Sequence, residues 1–365
     1  MKDERTNRKD STLTTVLALL FAISLVLGLG AVSEAKITGQ TIFPGDEPGA
    51  VVDSADPNVQ AVMAVQNRHT HELLTTPEVV GTATGLTDEG RPAILVFTKR
   101  EVGAGIIPDI LEGAPVVVKM TGEILAMPAS AAAQGKVKNT VIFTPPVPIG
   151  VSTGNIRECS AGTIGARVKD SAGKVYALSN NHVYALENSA PNGSTVLQPG
   201  LYDTQCLLNR NNVLGTLSQF VTINFSGGNN TVDAAIAAST TSDLGNTTPS
   251  GGYGTPSSTA VTASLYQAVQ KYGRTTSLTR GTITGINATV TVGYGTGTAT
   301  FVNQIIVSSN KPFIKAGDSG SLLVTDDTAA HPVGLLYAGN ANGSFAVANQ
   351  IGDVLDSFGV TIDGK

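Results

Sequence analysis

The stretch Lys315-Ala316-Gly317-Asp318-Ser319-Gly320-Ser321-Leu322-Leu323-Val324 holds a serine between glycines, sets an acid before it and runs on into an apolar, strand-like segment. A hydroxyl on such a turn stands beside backbone N–H groups, so a nucleophile and donors for a developing oxyanion are presented together. A serine hydroxyl at its ordinary acidity is a weak nucleophile. It needs a base within hydrogen-bond reach and a third group to orient that base. Only four histidines in the chain can supply the base.

The segment 175–183 reads as a β-run that ends in Ser179-Asn180-Asn181 and delivers His182. A histidine at a strand end can face a cleft, whereas one in mid-strand is usually packed. Val232-Asp233-Ala234-Ala235-Ile236-Ala237 places one acid inside an otherwise apolar strand. An ionised carboxylate there is costly unless paired, and the imidazole of His182 would supply the partner. The other reading of Asp233 is a strand-end aspartate capping a turn, since Asn229, Asn230 and Thr231 precede it. The remaining histidines fit blander roles. His69 and His71 stand two apart in a helical stretch, where such positions do not face each other, so they read as a solvated helix end and not as a metal pair. His331, before Pro332, reads as an exposed hairpin tip.

In this order His182, Asp233 and Ser319 resemble the catalytic set of the chymotrypsin-like (trypsin-fold) serine peptidases of the secreted bacterial type. The resemblance covers about 149–360 and includes Val269-Gln270-Lys271-Tyr272-Gly273-Arg274-Thr275-Thr276 followed by Gly281-Thr282-Ile283, similar to the strand before the specificity loop. It implies a mainly β fold of two antiparallel, six-stranded-type barrels, His182 and Asp233 coming from the first and Ser319 from the second. It also implies that the backbone N–H groups of Gly317 and Ser319 form the oxyanion hole, and that Asp318 anchors the loop on a basic partner, Lys271 before Arg274. Phe313 would form the floor of the primary substrate pocket and Tyr337-Ala338-Gly339 its wall. An aromatic floor without an acid argues against Arg or Lys recognition and for small or apolar side chains. Ser321 departs from the family, many of whose members have a second glycine there, and no cysteine adjoins His182 or Ser319.

The whole chain has 365 residues with 41 Gly, no Trp, 14% charged residues and a formal net charge of −5. That balance, without a basic stripe, argues against a nucleic-acid binder. Residues 13–32 are almost wholly apolar or small and follow Lys2, Arg5, Arg8 and Lys9, so 1–35 reads as an export signal cut after Ser33 or Ala35, with an uncleaved membrane anchor as the rival. The two cysteines, Cys159 and Cys206, fit one disulfide in an exported protein; two unpaired buried thiols are the alternative.

The order of domains expected is a flexible leader over 36–56, a small α+β unit over 57–127, a linker over 128–148 and the peptidase domain over 149–365. Within the α+β unit a helix over 57–74, a hairpin of 79–84 with 93–98, a short element at 106–111 and a strand at 115–120 are expected. The unit is either a removed prosegment or a retained accessory domain. The linker contains one strand-like run, Val141-Ile142-Phe143. Gly150-Val151-Ser152-Thr153-Gly154 matches the nucleophile-elbow pattern, but it follows prolines and precedes another β-run, so it reads as a chance match. The function expected is that of a secreted or extracytoplasmic serine endopeptidase acting on a peptide or protein, with no metal and no cofactor. A non-catalytic binding or scaffold protein on the same fold is the alternative.

Overall fold

Beyond residue 149, short runs of β-branched and small residues are interrupted by Gly, Asn and Pro, a composition that favours short strands and tight turns. The computed structural model, which describes residues 50–126, 138–208 and 213–365, folds these runs into two sheets. The first has eight strands in the order Val360–Ile362, Ala166–Asp170, Val175–Ser179, Ala235–Ala238, Val213–Phe220, Thr195–Leu197, Ser152–Asn155 and Gly162–Thr163. Its neighbours are antiparallel throughout, and the strand from the C-terminus closes one edge. Ile149, Val151, Ile164, Ala177, Leu217 and Ala235 fill its interior.

The second sheet is built on the long strand Ser277–Gly293. That strand pairs with Ala268–Gly273 at its start and with Thr298–Ser308 along its length. From Thr298–Ser308 the order runs through Phe345–Gln350, Pro332–Gly339 and Leu322–Thr325 back to Ala268–Gly273, closing a ring of these six strands. Val269, Ile283, Val307, Phe313, Leu323 and Leu336 form its core. Leu178 and Ile236 of the first sheet meet Leu322 and Leu335 of the second in a further cluster between the two. The fold is thus mainly β, built from two curled sheets.

The helix expected over 57–74 spans Pro57–Thr75, started by the Asp56 carboxylate, which accepts from the Asn58 and Val59 amides at 2.8 and 3.3 Å. It buries Val59, Val62, Val65 and Leu73. The hairpin forms from Val79–Leu86 and Pro92–Thr98, and Ala114–Met120 adds in parallel. Val79–Leu86 is buried along its whole length and pairs antiparallel with Ser277–Gly293, Gly81 opposite Val290 and Thr84 opposite Ile286. The α+β segment therefore continues the second sheet. Gln66, fully buried, crosses this seam: its amide donates to Asn287 O at 2.9 Å and its carbonyl accepts from Thr84 Oγ1 at 2.6 Å.

Two local expectations fail. Residues 141–143 form no strand, because Val141 and Ile142 are exposed and the Phe143 amide is taken by the Gln198 side chain at 3.0 Å. The 106–111 element shrinks to Ile110–Leu111, which pairs with Ala114 and Pro115. The expected signal at 1–35, the leader up to 49 and the linker residues up to 137 lie outside the described residues. Among the described residues no helix is long and apolar enough to cross a membrane.

Candidate active site

The strand Val175–Ser179 gives way at Asn180 to a single helical turn, Asn181–Tyr184, which carries His182. Asp233 was expected inside a strand but lies ahead of one. The ladder opposite Val175–Ser179 begins at Ala235, leaving the Asp233 side chain free to turn toward the histidine. His182 Nδ1 stands 2.7 Å from Asp233 Oδ2, and the His182 backbone N–H donates to Oδ1 at 3.2 Å. Asn180 Nδ2 holds the Asp233 carbonyl at 2.7 Å, and Asn349 Oδ1 accepts the Asp233 amide at 3.1 Å. Both side chains of the pair are fully buried. With Nδ1 engaged, Nε2 faces away from the acid, and it is buried with no hydrogen-bond partner among the described residues.

Ser319 is presented by the loop before Leu322–Thr325. Asp318 fixes that loop from below: Oδ1 accepts from the Thr275 and Thr276 amides at 2.8 and 3.1 Å, and Oδ2 from Thr276 Oγ1 at 2.7 Å and the Lys315 amide at 3.0 Å. Lys271 Nζ lies 3.3 Å from Oδ2, both side chains fully buried. Burial lowers the Lys271 pKa, and the Asp318 charge acts in the opposite direction. Gly317 has φ +93°. Gly320 has φ +92°, and a Cβ there would meet Ser179 Oγ at 2.3 Å and Thr163 O at 2.4 Å, so only glycine fits. Thr163 of the first sheet ties the loop across: its amide donates to Ser319 O and its hydroxyl to Gly317 O, each at 2.8 Å. Ser319 itself is buried, and its Oγ donates to Tyr337 O at 3.3 Å and not to the histidine.

Tyr294, Asp203 and the strand Leu125–Ala126 escaped the sequence reading. Tyr294, on the turn after Ser277–Gly293, donates its hydroxyl to Asp233 Oδ2 at 2.9 Å, and its ring meets the His182 ring edge-on at 6.0 Å. Burial first, then the Asp233 charge, push its pKa well above the ordinary phenol value. Arg274 pairs with Asp203 instead of the nucleophile loop, a buried ion pair that joins the two sheets, and Asp203 also accepts from Ser152 Oγ at 2.5 Å. Leu125–Ala126 pairs antiparallel with Gly339 and Ala338. No local signal marks Tyr294, because Gly293-Tyr294-Gly295-Thr296-Gly297 reads only as a turn.

The residues expected to form the pocket divide. Phe313 is fully buried in the core of the second barrel, and the Tyr337 ring lies against Phe301 at 4.9 Å with its hydroxyl unpartnered among the described residues. Ala338 and Gly339 form the edge that Leu125–Ala126 covers. Ser152 sits within the strand Ser152–Asn155, with no following helix to make an elbow. His69 Nε2 lies 2.8 Å from Glu112 on the helix surface, and His331 Nδ1 lies 3.0 Å from Thr259 O. Among the described residues no group of His, Cys, Asp and Glu could hold a metal ion. Cys159 and Cys206 are joined in a disulfide, their Cα atoms 5.3 Å apart.

A family model described as the Nal1 C-terminal domain matches residues 256–363, less than half of the chain. No curated protein matches. Among solved structures, a glutamic acid specific serine protease is 22% identical, with a TM-score of 0.43, over 59% of this chain and 100% of its own. Nocardiopsis protease is 19% identical, with a TM-score of 0.42, over 59% of this chain and 97% of its own. Thermobifida fusca protease A is 19% identical, with a TM-score of 0.43, over 60% of this chain and 98% of its own.

Proposed function

We propose that the protein is a serine endopeptidase working through an acyl-enzyme, with a peptide or protein as substrate, exported from the cytoplasm. The observation that carries this reading is the buried His182–Asp233 contact of 2.7 Å with Nε2 left free at the far end of the ring. An imidazole whose Nδ1 is held by a carboxylate keeps its proton there and offers Nε2 as the base. Ser319 Oγ turns from Tyr337 O to Nε2, gives up its proton and bonds to the substrate carbonyl carbon. The carbonyl oxygen takes the electron pair as an oxyanion, held by the backbone N–H groups of Gly317 and Ser319. The carbon–nitrogen bond then breaks, and the amine leaves with the proton from Nε2. A water molecule, deprotonated by the same nitrogen, attacks the ester, releases the acid and returns the proton to Oγ.

The α+β segment stays part of the molecule, because Val79–Leu86 is buried in the seam with Ser277–Gly293. Its last described strand, Leu125–Ala126, lies on Ala338–Gly339, next to the residue whose carbonyl receives the Ser319 hydroxyl. A peptide adding to that edge would displace this strand. A second reading, a non-catalytic scaffold, is favoured by the burial of His182 and Ser319 and by the turn of Oγ toward Tyr337.

Labelling with a fluorophosphonate probe separates the two. Wild type is modified at Ser319, while Ser319→Ala and His182→Ala are not. If the intact wild type stays unlabelled, the peptidase reading is overturned.

A further inference from the structure

The Asp233 carboxylate meets two hydrogen-bond donors on one oxygen. Oδ2 faces His182 Nδ1 at 2.7 Å and the Tyr294 hydroxyl at 2.9 Å. The two donors come from different sheets, His182 from the first and Tyr294 from the turn that ends the longest strand of the second. That turn is fastened. Glu187, in the loop after the histidine, accepts the Gly295 amide on Oε1 at 3.0 Å and the Thr296 amide on Oε2 at 2.6 Å. Leu186, Glu187 and Asn188 all have positive φ, at 52°, 55° and 74°, so the loop holds a conformation that non-glycine residues adopt at a cost. Within the turn the Tyr294 amide donates to Gly297 O at 2.7 Å. The ring is wedged between the His182 ring at 6.0 Å, Phe225 at 5.5 Å and Phe301 at 6.1 Å.

Resting on the peptidase reading above, we propose that Tyr294 is a positioning residue for the histidine base and that Glu187 is the latch that seats it. The phenol shares the charge on Oδ2 and fixes the carboxylate plane, so the imidazole is held in one orientation. The groups in contact with the imidazole are Asp233 from the lead into Ala235–Ala238 and Tyr294 from the turn; behind them Tyr337 from Pro332–Gly339 feels the Asp233 charge, and Glu187 acts on Tyr294. Asp233 is the nearest negative charge, and the phenol is the group that tempers it.

Tyr294→Phe keeps the ring and removes the donor. The charge on Oδ2 then falls on the imidazole alone, which favours its cation. The acidic limb of the labelling rate moves to higher pH by about half a unit to one unit, and the rate on that limb falls about three- to tenfold. Glu187→Ala leaves the hydroxyl in place but frees the turn, and moves both quantities in the same direction by a smaller factor. A merely structural tyrosine would lower Tm in these variants without moving the limb. The ¹⁵N titration of the His182 imidazole, read on the full chain, reports the same shift in protein that the probe does not label. Failure of labelling in wild type therefore counts against the peptidase reading, and an unmoved titration counts against Tyr294. The proposal is overturned if Tyr294→Phe titrates and reacts as wild type does. It is equally overturned if Tyr294→Phe merely unfolds while Glu187→Ala titrates as wild type.

Discussion

Asp233 and Asp318 are both fully buried aspartates at the meeting of the two sheets, yet they are built for opposite ends. Asp318 is saturated by fixed donors: three backbone amides, the Thr276 hydroxyl and the Lys271 ammonium. Nothing downstream of it is left unpaired, so its charge holds a loop in place. Asp233 meets titratable side chains, the imidazole of His182 and the phenol of Tyr294, and beyond the imidazole lies an unpartnered nitrogen. The same residue type in the same degree of burial is an anchor in one place and an orienting group in the other. The identity of the donors decides which.

Replacing the orienting acid is expected to have the largest effect. Asp233→Asn keeps the shape but presents an amide to Nδ1, and probe labelling or peptide turnover drops by about 10⁴-fold. Thermal unfolding changes far less than activity; equal losses in both would erase the distinction between the two aspartates. Asp318→Ala should behave in the reverse sense. It leaves Lys271 charged and buried without its partner, which costs about 3–5 kcal/mol of stability in denaturant unfolding. The double variant Asp318→Ala/Lys271→Met recovers part of that loss, because neither buried charge remains. If the single variant unfolds like wild type, Asp318 is not the anchor.

Gly320→Ala tests the backbone between the two sites. Its Cβ would meet Ser179 Oγ at 2.3 Å and Thr163 O at 2.4 Å at a φ of +92°, so a loss of about 1–3 kcal/mol is expected in chemical denaturation. The smallest effect concerns pH. Burial raises the Tyr294 and Tyr337 pKa values well above the ordinary phenol value, with the Asp233 charge adding to it. A raised folded-state pKa gives stability that is complete below the unfolded value of about 10 and is lost as pH climbs through the folded one. The Tm should therefore fall by a few degrees above about pH 10, and less steeply in Tyr294→Phe. Lys271, lowered by burial, works in the other direction, since its cation is disfavoured in the fold until it loses its proton. An alkaline decline therefore belongs to the buried phenols together, Tyr184 and Tyr253 included, and the difference between wild type and Tyr294→Phe isolates the part that belongs to the Asp233 neighbourhood.

Part of the Asp318 region was legible in the chain because a buried acid demands a cation, although its Thr275 and Thr276 donors, 43 and 42 residues away, were not. An acid before the nucleophile must be neutralised, and Lys271 was named for that role ahead of Arg274. The structure places the Lys271 ammonium 3.3 Å from Oδ2 and sends Arg274 to Asp203. His182 was legible because a strand ends just before it. Asp233 was legible as a buried acid needing a partner, although its position ahead of the strand depends on where the ladder with Val175–Ser179 begins. Phe313 was expected to floor a pocket and is core, since an aromatic side chain in a barrel of aliphatic residues follows the packing around it. Tyr294 was not legible at all: it touches Asp233 from 61 residues away, and only the curl of Ser277–Gly293 brings it there.

The sequence by itself determined that short strands would build a β fold, that the α+β segment would hold a helix and a hairpin, and that a serine and a histidine would stand at the ends of such elements. These follow from local pattern, from turn chemistry and from the cost of burying a charge unpaired, all of which act over a few residues. Only the tertiary structure decided that the segment before residue 127 continues the second sheet, that Leu125–Ala126 lies on the edge beside the serine, and that a tyrosine from the second sheet shares the acid of the first. Those are contacts between segments far apart in the chain. Strand edges accept many partners of similar pattern, and which one is taken depends on how the whole chain packs.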